Sequence, residues 1–413
     1  MLTSFKPKEL GRSVHLRRIA AGTILILMNI ACQPAIAADN KGKCDPDRIQ
    51  SEIEKAEAKF DEKELRRKAE ATAEFKDKIK GHQVEFNSVY STWSFDPATC
   101  NGLTLKDVNV VHSLRAEGEK ESTTNLISHF DPDGTRLDRI SQQKAQRRYG
   151  SYAYNMTNYA GYFAGNAHTT AFFDDMTSVM ASFNVPKLSN PYSLTKQTYS
   201  NCFDTYCEFS IWIGMKESIY SGSIAQTGVA SQYACDAVYV TAYCWTEYEP
   251  FYEFYPAAPV YCGGTMASGT SAGDLMWAHV DPYTPTGFSM YLYNLSDGTL
   301  CASKSSDFTM TARFGAFIGE RPLYVSNDGY TYYRPLPKFT TVSFTSPYVS
   351  YANEAEDEIA MTPYDLGNNS SYDVVKTTMQ NGGKQNIETG SLNSTGDFTL
   401  KWLTSVNAGR VRP

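Results

Sequence analysis

Gly315-Ala316-Phe317-Ile318-Gly319-Glu320-Arg321-Pro322 is a short apolar run that carries one carboxylate at its end, beside a glycine. Far upstream, Ser223-Ile224-Ala225-Gln226-Thr227-Gly228-Val229 sets one amide in a similar apolar context. Around these two stretches, the chain from Ser151 onward is written in short segments with period-two alternation. Phe209–Ile213, Ala237–Tyr243, Phe288–Tyr293, Phe339–Phe344 and Asp397–Leu403 are the clearest. Gly, Pro, Asn and Asp clusters such as Asn294–Gly298 and Asn327-Asp328-Gly329 separate them, and helix-period segments are nearly absent. Short strands without intervening helices predict an all-β fold, an antiparallel sandwich or barrel. Residues 367–396, rich in Asn, Ser and Gly, read as loop.

The first 150 residues are built differently. Lys6, Lys8, Arg12, Arg17 and Arg18 precede an apolar run from Ile19 to Ala31, and Ala35-Ile36-Ala37 offers a small-x-small cleavage site. Residues 1–37 therefore read as a signal peptide, too short in its apolar core for a membrane span. Export to the medium or the periplasm follows, with no membrane attachment after cleavage. Residues 49–80 predict a charged helix with a sparse stripe of Ile53, Ala56, Phe60, Leu65 and Ala69, best taken as a solvated spacer. Val84–Trp93 and Val108–Leu114 read as strands, and the basic Lys144–Arg148 as an exposed segment of the kind proteases cut. Residues 38–150 are thus a prosegment or accessory region, and 151–413 the main domain.

Composition excludes several functions. The 413-residue chain has a formal net charge of −7, so no basic footprint calls for nucleic acid. After residue 150 there are 13 Lys and Arg against 23 Asp and Glu, a balance suited to acid, where the carboxylates neutralise and few cations are left to repel. Of the nine cysteines, Cys32 leaves with the signal, and the remaining eight imply disulfides of open connectivity. No C-x-x-C pair occurs, and His168 and His279 are the only histidines after residue 150, so no metal or other cofactor is expected. No D-T-G or D-S-G turn appears, which removes pepsin-like dyads, and a serine triad would need a His and an Asp as well as its serine.

From about Asn158 to Trp402 the residues resemble the eqolisin family of glutamic peptidases, through motifs in a shared order. Thr157–Tyr162 is similar to the family's opening N-W-A/G-G, with Tyr159 for Trp, and Ala181–Pro186 to its next strand. Trp212-Ile213-Gly214 resembles W-V-G, and Ala225–Val229 resembles the L-Q-T-G that carries a catalytic glutamine. Phe251–Pro256 is similar to W-Y-E-W-Y-P, Ser271–Asp274 to S-x-G-D, and Tyr293–Gly298 to E-N-L-S/T-x-G. Gly315–Pro322 resembles A-E-W/F-I-x-E, whose final glutamate falls on Glu320, and Leu336–Phe339 and Asp397–Trp402 resemble the closing strands. Departures include Lys216 and Ala230, where the family often has Asp, and Gly319 before Glu320.

The resemblance implies a concanavalin-like sandwich of two antiparallel sheets, with the active site on the concave face of one. It also implies a pepstatin-insensitive, acid-acting endopeptidase acting as a monomer on proteins or peptides, and made as a precursor. On this reading residues 38–150 cover the cleft as an inhibitor and are released in acid. Glu320 would be general base and then general acid, and Gln226 would hold the water and the oxyanion through an amide that does not ionise. Glu253, on an aromatic strand whose alternate residues face the cleft, would be a supporting hydrogen-bond partner, and Tyr159, Trp212, Phe251 and Tyr255 would line the cleft or its core. Two competing readings are a β-sandwich glycoside hydrolase using Glu247, Glu249 and Glu253, and a peptidase-like binding module without turnover.

Overall fold

In a computed structural model, the described residues are 44–410, apart from 117–121, 147–157, 166–175, 191–201, 203–205, 219–221, 239–240, 264–265, 267–268, 285–286, 326–330, 352–358, 362–372, 382 and 405–408. The expected signal peptide and the Arg147-Arg148 end of the basic segment lie outside them. Cys44–Pro413 form one compact unit.

Strand-forming Val, Tyr, Phe and Thr dominate, and 25 strands form among the described residues. The first four are β1 (His82–Asp96), β2 (Asn101–Ala116), β3 (Ser122–Phe130) and β4 (Leu137–Gln146). Next come β5 (Tyr159–Gly165), β6 (Met176–Asn184), β7 (Leu188–Ser189), β8 (Cys207–Lys216), β9 (Ile224–Val238) and β10 (Thr241–Tyr255). They are followed by β11 (Val260–Tyr261), β12 (Leu275–Thr284), β13 (Gly287–Asn294), β14 (Thr299–Ser305) and β15 (Phe314–Glu320). Shorter pieces are β16 (Leu323–Val325), β17 (Thr331–Tyr333) and β18 (Lys338–Phe339), before β19 (Val342–Tyr351) and β20 (Ile359–Met361). The last are β21 (Asp373–Thr377), β22 (Met379–Asn381), β23 (Lys384–Thr389), β24 (Phe398–Trp402) and β25 (Gly409–Arg410).

These build an antiparallel two-sheet sandwich, as the alternation predicts. One sheet runs β11-β10-β9-β8-β15-β5-β21; the other runs β22-β23-β24-β19-β6-β12-β13-β14-β1-β2-β3-β4, with β20 beside β19. The main core lies between them. Phe209, Ile211, Ile213, Val229 and Phe317 of the first sheet pack with Val179, Phe183, Met276, Leu292 and Phe344 of the second. The alternate residues of the first sheet form a second buried cluster on its other face, including Tyr159, Phe163, Trp212, Phe251 and Ile318.

The region before residue 150 is woven into this core. β1 pairs with β14, which continues the large sheet through β2, β3 and β4. Its inward residues brace β10 of the opposite sheet: Phe86 meets Phe254 with ring centroids 5.1 Å apart, and Tyr90 meets Tyr252 at 5.8 Å. Ser88 Oγ and the Tyr252 hydroxyl share a buried hydrogen bond of 3.1 Å, and the Asn125 amide donates to Pro259 O at 3.0 Å.

Four sequence readings need correction. The helix expected over 49–80 is three helices, Pro46–Glu57, Glu62–Ala71 and Ala73–Lys78, because Asp61 and Thr72 cap new N-termini. It is no solvated spacer: Ile49 and Ile53 pack on Trp93, Trp277 and Tyr293, and Gln50 Oε1 meets His279 Nδ1 at 2.7 Å. The strand read over 237–243 is divided between β9, which ends at Val238, and β10, which starts at Thr241, and the sequence offers no Gly, Pro or Asn to mark the break. Phe339–Phe344 divides between β18 and β19. Residues 367–396 contain β21, β22 and β23; their polar composition suits edge strands and hairpins, with Gly383 at φ 78°.

The eight remaining cysteines all pair: Cys44–Cys100, Cys202–Cys207, Cys235–Cys244 and Cys262–Cys301. No helix among the described residues is long and apolar enough to cross a membrane.

Candidate active site

Directly opposed residues on neighbouring strands point to the same face, so the registers of β10, β9, β8, β15 and β5 define three rungs across the non-core face. The first rung is Glu253, Gln226, Gly214, Ala316 and Phe163. The second is Phe251, Gly228, Trp212, Ile318 and Gly161, and the third is Glu249, Ala230, Ser210, Glu320 and Tyr159. Trp212 stands between the two predicted catalytic groups: Gln226 lies two residues from its partner on β9, and Glu320 two residues from its partner on β15.

Glycine makes this crowding possible. A Cβ on Gly228 would meet the Trp212 Cα at 2.6 Å, and one on Gly214 would meet the Gln226 Cβ at 2.8 Å. Each glycine therefore yields its space to a neighbour on the next strand, Gly228 to Trp212 and Gly214 to Gln226.

Gln226 is 4% exposed, Glu320 4% and Glu253 0%. The Gln226 amide Nε2 donates to Glu253 Oε2 at 2.5 Å. A carboxylate only accepts, so Glu253 fixes which way the amide faces and leaves its second N–H and its oxygen for other partners. That oxygen, Oε1, is buried and has no protein partner among the described residues. The Trp212 indole Nε1 donates to Glu320 Oε2 at 2.8 Å, and Asn158 Nδ2 donates to Glu320 Oε1 at 3.5 Å. Glu320 is thus gripped from both oxygens by groups that do not titrate in acid.

The other predicted residues separate by role. Trp212 is fully buried and is a hydrogen-bond donor to Glu320 rather than an open wall. Tyr159 packs edge-on to Trp212 at 6.0 Å and to Phe163 at 6.4 Å; burial, then the Glu320 charge, hold its phenol well above the usual range. Phe251 is buried in the same cluster, and Tyr255 packs against it half-buried. Of the competing carboxylate set, Glu247 is exposed and Glu249 accepts from Gln232 at 3.2 Å, away from Glu253.

Asn158 lies within the opening motif but carries no sequence signal of its own; its hydrogen bond to Glu320 reveals it. No group of three or more potential metal ligands occurs among the described residues.

The Peptidase A4 family profile matches residues 157–389, more than half of the chain. The chain belongs to the Peptidase A4 family. Membership makes it a glutamic endopeptidase, the class the ordered motifs imply. Among solved structures, the chain is similar to scytalido-glutamic peptidase with a peptide-based transition state analog, at 20% identity and a TM-score of 0.42, covering 60% of this chain and 99% of that one. It is also similar to SCP-B, an eqolisin in complex with the tripeptide Ala-Ile-His, at 19% identity, a TM-score of 0.41 and coverage of 60% and 99%. Aspergilloglutamic peptidase from Aspergillus niger matches at 18% identity and a TM-score of 0.35, covering 48% and 99%. No curated protein matches the chain. The assignment to Peptidase A4 rests on the family profile and not on these distant likenesses.

Proposed function

We propose that the protein is a secreted, acid-acting endopeptidase in which Glu320 and Gln226 hydrolyse the peptide bond without a covalent intermediate. The observation that carries this reading is the shared face: Gln226 held by Glu253, and Glu320 held by Trp212, on two rungs of one sheet with the Trp212 rung between them. Glu320 takes a proton from the attacking water as the new O–C bond forms. The second Gln226 N–H stabilises the oxyanion, a contribution of roughly 3 kcal/mol for one well-placed donor, and its amide oxygen orients the water. Glu320 then returns the proton to the leaving amine as the C–N bond breaks.

Acid action is supported by the paucity of cations after residue 150 and by a Gln226, Trp212 and Asn158 set whose hydrogen bonds need no titrating donor. Secretion is supported by the signal-like N-terminus and four disulfides, which persist in oxidising compartments. For residues 44–146 we favour the accessory role over that of a removable inhibitor. The support is the β1–β14 pairing and the packing of Phe86, Ser88 and Tyr90 beneath the strand that bears Glu253.

The test is digestion of a denatured protein from pH 2 to 7 after acid incubation, with pepstatin present and products read by mass spectrometry. Internal peptide cleavage in acid is expected. Release of reducing sugar from β-glucan with no peptide cleavage would replace this reading with the glycosidase one. Protein binding without turnover at any pH would replace it with the binding-module one.

A further inference from the structure

Lys216 stands two residues beyond Gly214 on β8, so its side chain shares the face of Gln226 and Glu320. Its own rung is Tyr255, Ile224, Phe314 and Gly165. The residue is only 7% exposed. Its ammonium lies 5.8 Å from the ring centroids of both Tyr159 and Phe163, two strands away on β5. On β15 its direct partner is Phe314, and Ala316 is the next residue on that face toward Glu320.

No carboxylate among the described residues forms a salt bridge with Lys216, and Glu320 is the charge that most favours its ammonium. Burial lowers the amine to about 8, so it is charged throughout the acid range. Two aromatic faces give a cation modest support, and its three N–H donors can take further acceptors. A buried cation with no salt bridge among the described residues is costly to keep, and it lies on the face where a peptide must bind.

We infer that Lys216 is a specificity residue: it forms an anion subsite beside the dyad and takes the carboxylate of an acidic side chain flanking the scissile bond. This rests on the peptidase reading for its substrate class, but the subsite is a binding feature in its own right. Pairing with a substrate carboxylate returns to Lys216 the charge-assisted hydrogen bonds the fold denies it. The preference carries a pH signature. An Asp or Glu side chain, with an ordinary pKa near 4, is neutral at pH 3 and ionised at pH 5.5, while Lys216 is charged at both.

The experiment uses two readouts on full-length protein. The first is cleavage of peptide pairs identical except for Glu against Gln next to the scissile bond, at pH 3 and 5.5, by wild type, Lys216→Met and Lys216→Arg. The second is calorimetric binding of the same pairs to Glu320→Gln protein, with and without Lys216→Met. The expected result is a preference for the Glu peptide of about tenfold or more at pH 5.5 that shrinks at pH 3, disappears in Lys216→Met and is partly kept in Lys216→Arg. A parallel pair ending in a free carboxylate or an amide distinguishes a side-chain subsite from one for the peptide C-terminus. Cleavage of both peptides at equal rates, or a preference that survives Lys216→Met, overturns the subsite and leaves the peptidase reading standing. Lys216-dependent binding of the Glu peptide without any cleavage keeps the subsite and overturns the peptidase reading. Neither binding nor cleavage overturns both.

Discussion

Replacing Lys216 with methionine should stabilise the protein in acid. The amine is lowered from its ordinary 10.5 to about 8, first by burial, against which the Glu320 charge acts in part. In the unfolded chain it titrates near its ordinary value. Below pH 8 it is charged in both states, and the native state bears the full cost of burying it. Between pH 8 and 10.5 the native amine gives up its proton while the unfolded one keeps it, so the unfolded state binds more protons and stability rises with pH. At about 1.4 kcal/mol for each tenfold change in proton affinity, the acid-side cost is about 3 kcal/mol. Methionine keeps the apolar stem and discards the ammonium. Denaturant unfolding of wild type and Lys216→Met, matched in slope, should differ by about 3 kcal/mol at pH 5 and by about 1 kcal/mol at pH 9.5. A variant equal to or weaker than wild type at pH 5, or a gain that grows with pH, would refute the reasoning.

Three further outcomes follow from the same contacts. Trp212→Phe removes the 2.8 Å donor to Glu320 while keeping an aromatic ring; kcat should fall about 10- to 100-fold with KM little changed, and an unaltered kcat contradicts the positioning role. Glu253→Gln ends the one-way choice that fixes the Gln226 amide, so kcat should drop by roughly tenfold or more in a fully folded protein, as hydrogen bonds to charged groups imply; steady-state kinetics beside circular dichroism checks it. Deleting residues 44–146 bares the β14 edge and the undersides of Tyr252 and Phe254, so the truncated chain should aggregate or lose cooperative unfolding. A soluble, cooperatively folding truncation would restore the removable-prosegment reading.

What was legible in the sequence was what alternation and local motifs encode. The sandwich follows from period-two strands, and Glu320, Gln226 and Glu253 each sit in a recognisable short context. The grip on Glu320 was not legible, since Trp212 and Asn158 reach it across strand partners separated by 108 and 162 residues in sequence. β8 and β15 are buried on both faces along their whole length, so hydropathy could not say which of their faces carries the site. The charged helix was misread because i,i+4 charge pairing dominates its composition, while the few residues that matter, Ile49, Ile53, Leu65 and Phe75, are thinly spread. In sequence Lys216 stands out only as a departure from the motif, where the family often has Asp. Only its register on the Gln226 face and its rings at 5.8 Å reveal a buried cation.

The measurement that bears most directly on the account is the activity of Glu320→Gln against a denatured protein in acid, with pepstatin present and folding verified by its unfolding transition. The substitution preserves shape and an oxygen for the Trp212 N–H, and removes the proton acceptor. The account predicts pepstatin-resistant cleavage by wild type and none above background by the variant. Cleavage at near wild-type rate by the folded variant would contradict it, and the catalytic carboxylate would have to be sought elsewhere.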